Sequence, residues 1–437
     1  MAGDKSAPPP ESLIRELSSF PLLSAMFGRR ARRFGLGMTI PDGPLAYQSS
    51  HPPLALSETE RMLLVLCGAG INGWNTGMEH TAAGEPDTGC NYPVRLLGRT
   101  FPSGAAIYAS ELIFSDDDGT WLTRLRDLDA DDLLGGQAPT DFAALLNRVK
   151  QHCVQLAPGR VTVPAQPPHT SAHNLWNANK PGTTLFAPVI DLTQQMMDLM
   201  AVYLGMGFTP FDPQNGRVCG NLDRFIRAGL LDGAKRFSIF EFDQYCLATG
   251  AMELALICYN IVLAMQAMGL GGWMYTGINP ASLMGAFAAN GISGLGFRFV
   301  RDERWALPNP VGIDKHFEGL CPPYCADMRE AVRKFVDLKF GPGGAFDPER
   351  AGPYRENSRV KARVERYSSD FIELMGEVAQ YIHDTFGRFP ASVPSFYMRV
   401  YTQAQHCELE FYDKFFAGDF YLDTHAAHMT KWHGGEK

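Results

Sequence analysis

Nothing in this sequence pairs its cysteines. The nine (Cys67, Cys90, Cys153, Cys219, Cys246, Cys258, Cys321, Cys325 and Cys407) are odd in number and scattered. No two stand at CxxC spacing, so neither a disulfide framework nor a zinc ribbon is indicated. The N-terminal stretch Met1 to Glu11 has no apolar segment of the kind a secretory signal needs. A reduced, cytoplasmic setting is therefore the expectation. Cations are in the minority: 39 Lys and Arg stand against 47 Asp and Glu, a net charge of −8. That balance argues against nucleic acid or an anionic membrane as the main partner and leaves a small molecule or another protein.

Several chemical signatures are missing as well. The glycines at Gly269–Gly272 and Gly291–Gly296 lack the spacing and context of a strand–GxGxxG–helix unit, which removes the commonest dinucleotide fold. Ser103 is not in a GxSxG elbow, there is no HExxH, and no internal repeat is visible. The apolar run from Ala248 to Leu270 is long enough for a bilayer, but Glu253, Asn260 and Gln266 interrupt it. Its flanks also lack a Lys/Arg asymmetry. It reads as the central helix of a large core, apolar nearly all round.

What is present is an ordinary globular composition, 45% hydrophobic and 20% charged, with room for a large core and an extension. Strands and helices do not alternate cleanly, which indicates an α+β fold. Ser57 and Glu60 form a capping box before the apolar run Met62–Cys67, and Gly68 and Gly70 stop that helix. Residues 107–123 read as a hairpin turning at Asp116-Asp117-Asp118-Gly119. A helix is expected near 142–154, an extended run at 186–192 and a helix at 193–204. A strand closing the core is expected at 294–300. Asp370 and Glu373 would cap a helix that ends at Gly387. The organisation read from this is an N-terminal arm (1–20) and a main domain (21–310) with an inserted region at about 124–240. A C-terminal helical extension (311–437) follows.

Three segments could carry chemistry. Arg29-Arg30-Ala31-Arg32-Arg33 sets four guanidiniums in five residues at a helix end, and their planar forks match phosphate oxygens. A solvated surface run or a polybasic address would look the same. Arg99 to Ala105 contains a Pro102-Ser103-Gly104 turn that lets backbone approach a flat ring, or is simply a turn. Met268-Gly269-Leu270-Gly271-Gly272-Trp273 could present backbone N–H groups and an indole wall to a cofactor, or be a helix C-cap with a packed tryptophan.

In order and separation these segments resemble the nitroreductase family of flavoproteins. Phe27-Gly-Arg-Arg-Ala-Arg-Arg-Phe34 is similar to its "RRSxRxF" segment, and Leu56–Glu60 with Gly68–Gly70 to its "LSxEEL…aAxGi" helix. Phe101–Ala105 is similar to its "PSxGa" turn and Ala264–Trp273 to its "aaxxLGLGgxw" segment. The resemblance covers roughly 21–123 and 240–300. It implies a mixed sheet wrapped by helices, in a homodimer with FMN at the subunit interface. Arg29, Arg30 and Arg33 would hold the FMN phosphate and ribityl chain. Pro102, Ser103 and Gly104 would line one flavin edge, and Gly271 and Gly272 the other. The implied activity is two-electron (hydride) transfer between NAD(P)H and a small organic substrate, and no catalytic side chain is assigned.

The sequence departs from that pattern in places. Ala31 stands where the family often has serine, and residues 124–240 are long for a family member. The basic pair that closes on the phosphate in short members is not placed, with Arg298 as a candidate. Rival readings are a flavin-fold enzyme acting on an unusual substrate without NAD(P)H, a flavin-free binding or scaffold protein, and a metal enzyme centred on the tail. That tail carries His406, His425, His428 and His433. His425 and His428 at i,i+3 with His433 or Glu410 could gather a metal, but no metal site is assigned. The tail is expected instead to fold over the cofactor pocket.

Overall fold

A computed structural model describes residues 10–75, 91–104, 106–128 and 140–433. The fold is α+β, built on a seven-stranded sheet. Its strands are β1 (Ser110–Asp116), β2 (Gly119–Thr123), β3 (Cys153–Pro158), β4 (Thr184–Asp191), β5 (Gly271–Tyr275), β6 (Phe396–Tyr397) and β7 (Tyr401–Gln405). They lie in the order β5-β7-β4-β1-β2-β3, with β6 beside β4. A mixed sheet was expected. Each pairing in this one is antiparallel, and among the described residues a parallel pair occurs only in a small side sheet, between 208–212 and 232–238.

The hairpin expected at 107–123 is β1–β2, turning through Asp117 and Asp118, where the Asp118 N–H donates to Oδ1 of Asp116 at 3.0 Å. The helices that matter here are α1 (Pro10–Ser19), α2 (Leu22–Phe27), α3 (Glu58–Ala69), α4 (Leu192–Gly205), α5 (Ile239–Met268), α6 (Met328–Phe340), α7 (Ser369–Phe386), α8 (Leu409–Phe415) and α9 (Asp423–His433). In α3 both arms of the capping box form: Glu60 N bonds Ser57 Oγ at 3.3 Å and Ser57 N bonds Glu60 Oε2 at 2.8 Å. The helix runs through Gly68 and stops at Gly70. A Cβ on Gly68 would stand 2.7 Å from Cγ1 of Ile261, so this glycine sets the closeness of α3 to α5.

Helix α5 begins nine residues before the apolar run, at the Ser238 N-cap, and ends at Gly269 with φ 71°. Among the described residues it is the one helix long and apolar enough to cross a membrane. In the fold it packs on α3, α4 and the sheet. Its central Glu253 is buried, accepting from the Tyr108 N–H (3.1 Å) and Ser110 Oγ (2.6 Å). The α7 helix is capped by Ser368 rather than Asp370, because the Ser368 hydroxyl accepts from the Phe371 N–H. The 142–154 segment splits into a helix at 142–151 and strand β3.

Two organisational expectations change. The region 124–240 contains β4, an inner strand of the sheet, so it is integral to the core rather than inserted into it. Beyond 310 the chain is not only helical: β7 lies between β4 and β5, pairing Gln403 with both Leu185 and Trp273. The strand expected at 294–300 is short (Arg298–Val300) and belongs to a side sheet with 309–313. Helix α6 is tied inward by a buried ion pair, Lys339 Nζ to Asp198 Oδ1 of α4 at 3.0 Å. The Asp198 carboxylate holds the Lys339 ammonium pKa above its ordinary value despite burial.

Candidate functional site

Helix α2 ends at Phe27, and the arginine cluster follows as an arm along the edge of β5. The Gly272 N–H donates to the Arg32 carbonyl at 2.8 Å, the first bond of that edge. The four arginines divide here. Arg32 is buried, with Nε on the Phe420 carbonyl (3.1 Å), Nη1 on Oε1 of Gln266 (2.7 Å) and Nη2 on the Gly28 carbonyl (3.0 Å). Burial lowers its pKa, and its work is to clamp the arm to α5 and the tail. Arg29, Arg30 and Arg33 are exposed. Alternation along the arm separates Arg32 from Arg33, since neighbours in an extended chain point to opposite sides.

Arg29 and Arg30 stand at a cavity of about 440 Å³, a size suited to a small-molecule ligand. Tyr259 and Val262 of α5 and Trp273 and Met274 of β5 form its other walls. Nη1 of Arg30 turns back to the carbonyls of Phe27 (3.0 Å) and Arg29 (2.9 Å), closing the end of α2 and steadying the residue beside the opening. Arg33 lies on the exposed side of the arm, next to the bond from Gln405 Nε2 to its own carbonyl at 2.8 Å.

The Pro102-Ser103-Gly104 turn sits elsewhere along the same helix. Ser103 Oγ accepts from the Ile107 N–H at 3.2 Å, and a Cβ on Gly104 would lie 2.9 Å from Cε of Met252. Ala105 lies outside the described residues. Met252 and Tyr259 are seven residues apart, which puts both on one face of α5 about 10 Å from each other. The turn and the arginine cavity thus share one side of the molecule without lining one cavity. Gly271 and Gly272 are buried within β5. A Cβ on Gly271 would reach Sγ of Cys407 at 2.9 Å, and one on Gly272 the Gln403 carbonyl at 2.0 Å. Close packing against β7 and its continuation accounts for both glycines. Arg298 pairs with Asp314 at 3.7 Å in the side sheet and does not border the arginine cavity.

The tail folds over the arm. Phe411 of α8 stacks on Phe34 with centroids 4.2 Å apart, and the Phe34 N–H donates to the Tyr412 hydroxyl at 2.8 Å. The histidine grouping differs from expectation. Glu410 faces Tyr47 and Ser50, while Nδ1 of His425 accepts from the Leu422 N–H at 3.2 Å. His428 turns instead to His406 and Glu60, and the side chain of His433 lies outside the described residues. This grouping was not readable because Glu60 already has a local role as a cap.

A second cavity, of about 580 Å³, lies elsewhere, near Arg95, Arg126 and Lys334. Its arginines are engaged: Arg95 bonds Asp127 (2.7 Å) and Gln194 (2.8 Å), and Arg126 bonds Asp191 (3.1 Å). The smaller cavity, with exposed guanidiniums beside Tyr259, is the better candidate for an anionic ligand.

No family model matches the chain, and no curated protein matches it. Among solved structures it is similar to a Ralstonia eutropha JMP134 protein described as a "putative nitroreductase", at 10% identity. The match spans 60% of this chain and 71% of that one, with a TM-score of 0.27. At that score the likeness carries no weight for fold or function.

Proposed function

We propose that the chain binds FMN and transfers two electrons, as hydride, between NAD(P)H and a small organic substrate. The observation that carries this reading is the cavity lined by exposed Arg29 and Arg30 together with Tyr259 of α5. A ligand with a phosphate at one end and a flat ring at the other matches both walls. Arg29 and Arg30 would hold the phosphate by charge-assisted bonds, with Arg33 adding charge along the arm. Pro102, Ser103 and Gly104, two turns away along the same face of α5, would border only the part of the ring system that extends beyond the cavity. FMN supplies the hydride chemistry, so the side chains need only bind, orient and exclude water. Gly271 and Gly272 contribute by letting β5 sit tightly against β7 and the arm.

The same face of α5 bears exposed Tyr245 and Met252, with Phe27 and Met274 nearby. A second copy of the chain is the proposed cover for this surface, making the protein a homodimer whose mass in solution is the measure.

The test is the visible spectrum of the purified protein before and after FMN is added. A bound-flavin band is expected. Replacing Arg29 and Arg30 together by Ala is expected to weaken FMN binding on the order of 10- to 100-fold, since both guanidiniums are exposed, with the circular dichroism unchanged. A protein that stays colourless with added FMN overturns the reading and favours a flavin-free binding role.

A further inference from the structure

Three chain segments far apart in sequence bring metal-ligating side chains to one point. Glu60 comes from the first turn of α3, His406 from the residue after β7, and His428 from α9. All three are buried, and one ligand atom from each lies within 4.8 Å of the others. Nδ1 of His406 and Nε2 of His428 are 2.7 Å apart, and Nε2 of His428 is 3.8 Å from Oε1 of Glu60. Among the described residues this is the one group of three or more such side chains that could hold an ion.

Two of the three ligand atoms are aimed by a bond made on the opposite side of their group. Nε2 of His406 donates to the Ala55 carbonyl at 3.2 Å, which fixes the tautomer and leaves the lone pair on Nδ1, toward His428. Oε2 of Glu60 accepts from the Ser57 N–H and the Ser57 hydroxyl, both at 2.8 Å, which turns Oε1 inward. The capping box that starts α3 is therefore also a device for orienting a buried carboxylate. Such outer bonds are what hold ligands in preorganised metal sites.

We propose that Glu60, His406 and His428 form a buried site for one zinc-type divalent cation, with water as its fourth ligand. The ion takes the place of the proton shared between the two imidazoles, and His428 carries its own proton on Nδ1 in that state. Four-coordinate binding at about 2.0–2.1 Å sets neighbouring ligand atoms roughly 3.3 Å apart, so the histidine pair opens and the carboxylate closes, each by about half an ångström. Two nitrogens and one oxygen suit zinc and its first-row neighbours rather than calcium or magnesium, which take oxygen. Open space lies beside one of the three ligands. His428 borders a cavity of about 300 Å³ lined also by Pro21, Ala267, Met268 and Lys431. The inference does not rest on FMN, because the arginine cavity shares no residue with this site or the cavity beside it.

Full-length protein stripped of metal with a chelator is titrated with Zn²⁺ and, in parallel, with Co²⁺. One equivalent is expected to bind, and the cobalt form should show the intense visible bands of four-coordinate Co²⁺ rather than the weak bands of the aqueous ion. His428→Ala and Glu60→Gln, each checked for native circular dichroism, are expected to lose affinity on the order of 100-fold or more. His425→Ala, one turn away on the same helix and outside the set, should bind as the parent does. Should the ligand variants fail to fold, the cobalt spectrum of the parent protein decides. Folded, metal-free parent protein that takes up less than one equivalent, or gives only the weak octahedral spectrum, overturns the proposal. A His428→Ala variant that binds as tightly as the parent does the same, leaving a hydrogen-bonded histidine pair.

Discussion

Asp243, on the second turn of α5, shows how a single residue sets a pH response. Burial lifts its carboxyl to about 6, although the Ser392 N–H (2.6 Å) and hydroxyl (2.7 Å) both donate to Oδ2. An unfolded chain releases that proton near pH 3.9. The folded state therefore holds more protons between pH 4 and 6. The contribution is fully present below about 4 and is lost as pH rises through about 6. Across that window the group should cost the fold about 3 kcal/mol. Asp243→Asn, which keeps an acceptor for Ser392, is expected to flatten this part of the profile. Urea unfolding of parent and variant at several pH values measures it, and an identical slope in both would remove Asp243 as the cause. Sequence could not reveal this group, because nothing in Phe-Glu-Phe-Asp-Gln tells which acid faces the core. The arginines pose the same problem: Arg32 and Arg33 are chemically alike, and only the direction of the arm separates the clamp from the exposed charge.

Elements were legible where one physical signal dominated. The capping box, the β1–β2 hairpin and the Gly269 stop of α5 follow from local chemistry and stand as read. The start of α5 was hidden because its first turns mix Glu241, Asp243 and Gln244 with apolar residues. Strand β5 was hidden by its glycines, which read as a bend. Strand β7 was hidden because Tyr-Thr-Gln-Ala-Gln shows no apolar alternation. Its buried Gln403 is satisfied by partners distant in sequence: Nε2 donates to the Asn177 carbonyl (2.9 Å) and Oε1 accepts from the Asn179 N–H (2.7 Å). At this scale α5 makes its own prediction. Tyr245 and Met252, 44% and 46% exposed, repeat at seven residues and leave an apolar stripe facing water. Light scattering is expected to give twice the mass of one chain, and Met252→Glu, which sets a charge in the stripe, should shift the protein toward single chains. A parent protein that is monomeric at high concentration would remove the second copy from the reading of this surface.

For the whole molecule, the consequential feature is where the chain's last third goes. A helical extension beyond 310 could be cut away and leave a folded domain. The sheet forbids it, because β7 arrives late in the chain yet takes an inner position, hydrogen-bonded to β4 on one side and β5 on the other. Removing residues 311–437 unpairs both neighbours and uncovers the face of α5 that Tyr401 to Gln405 cover. It also takes away α6 and with it Lys339, stranding the buried Asp198 carboxylate without its cation, a loss on the order of 3–5 kcal/mol by itself. Added to the lost apolar burial, that exceeds the margin of an ordinary domain. A chain ending at Pro310 is therefore expected to be insoluble or to unfold without a cooperative transition. Thermal melts followed by circular dichroism, with limited proteolysis alongside, provide the measurement. A soluble 1–310 fragment with a sharp melt and a protease-resistant core would mean that β4 and β5 hold together without the strand between them, and that the extension is separable after all.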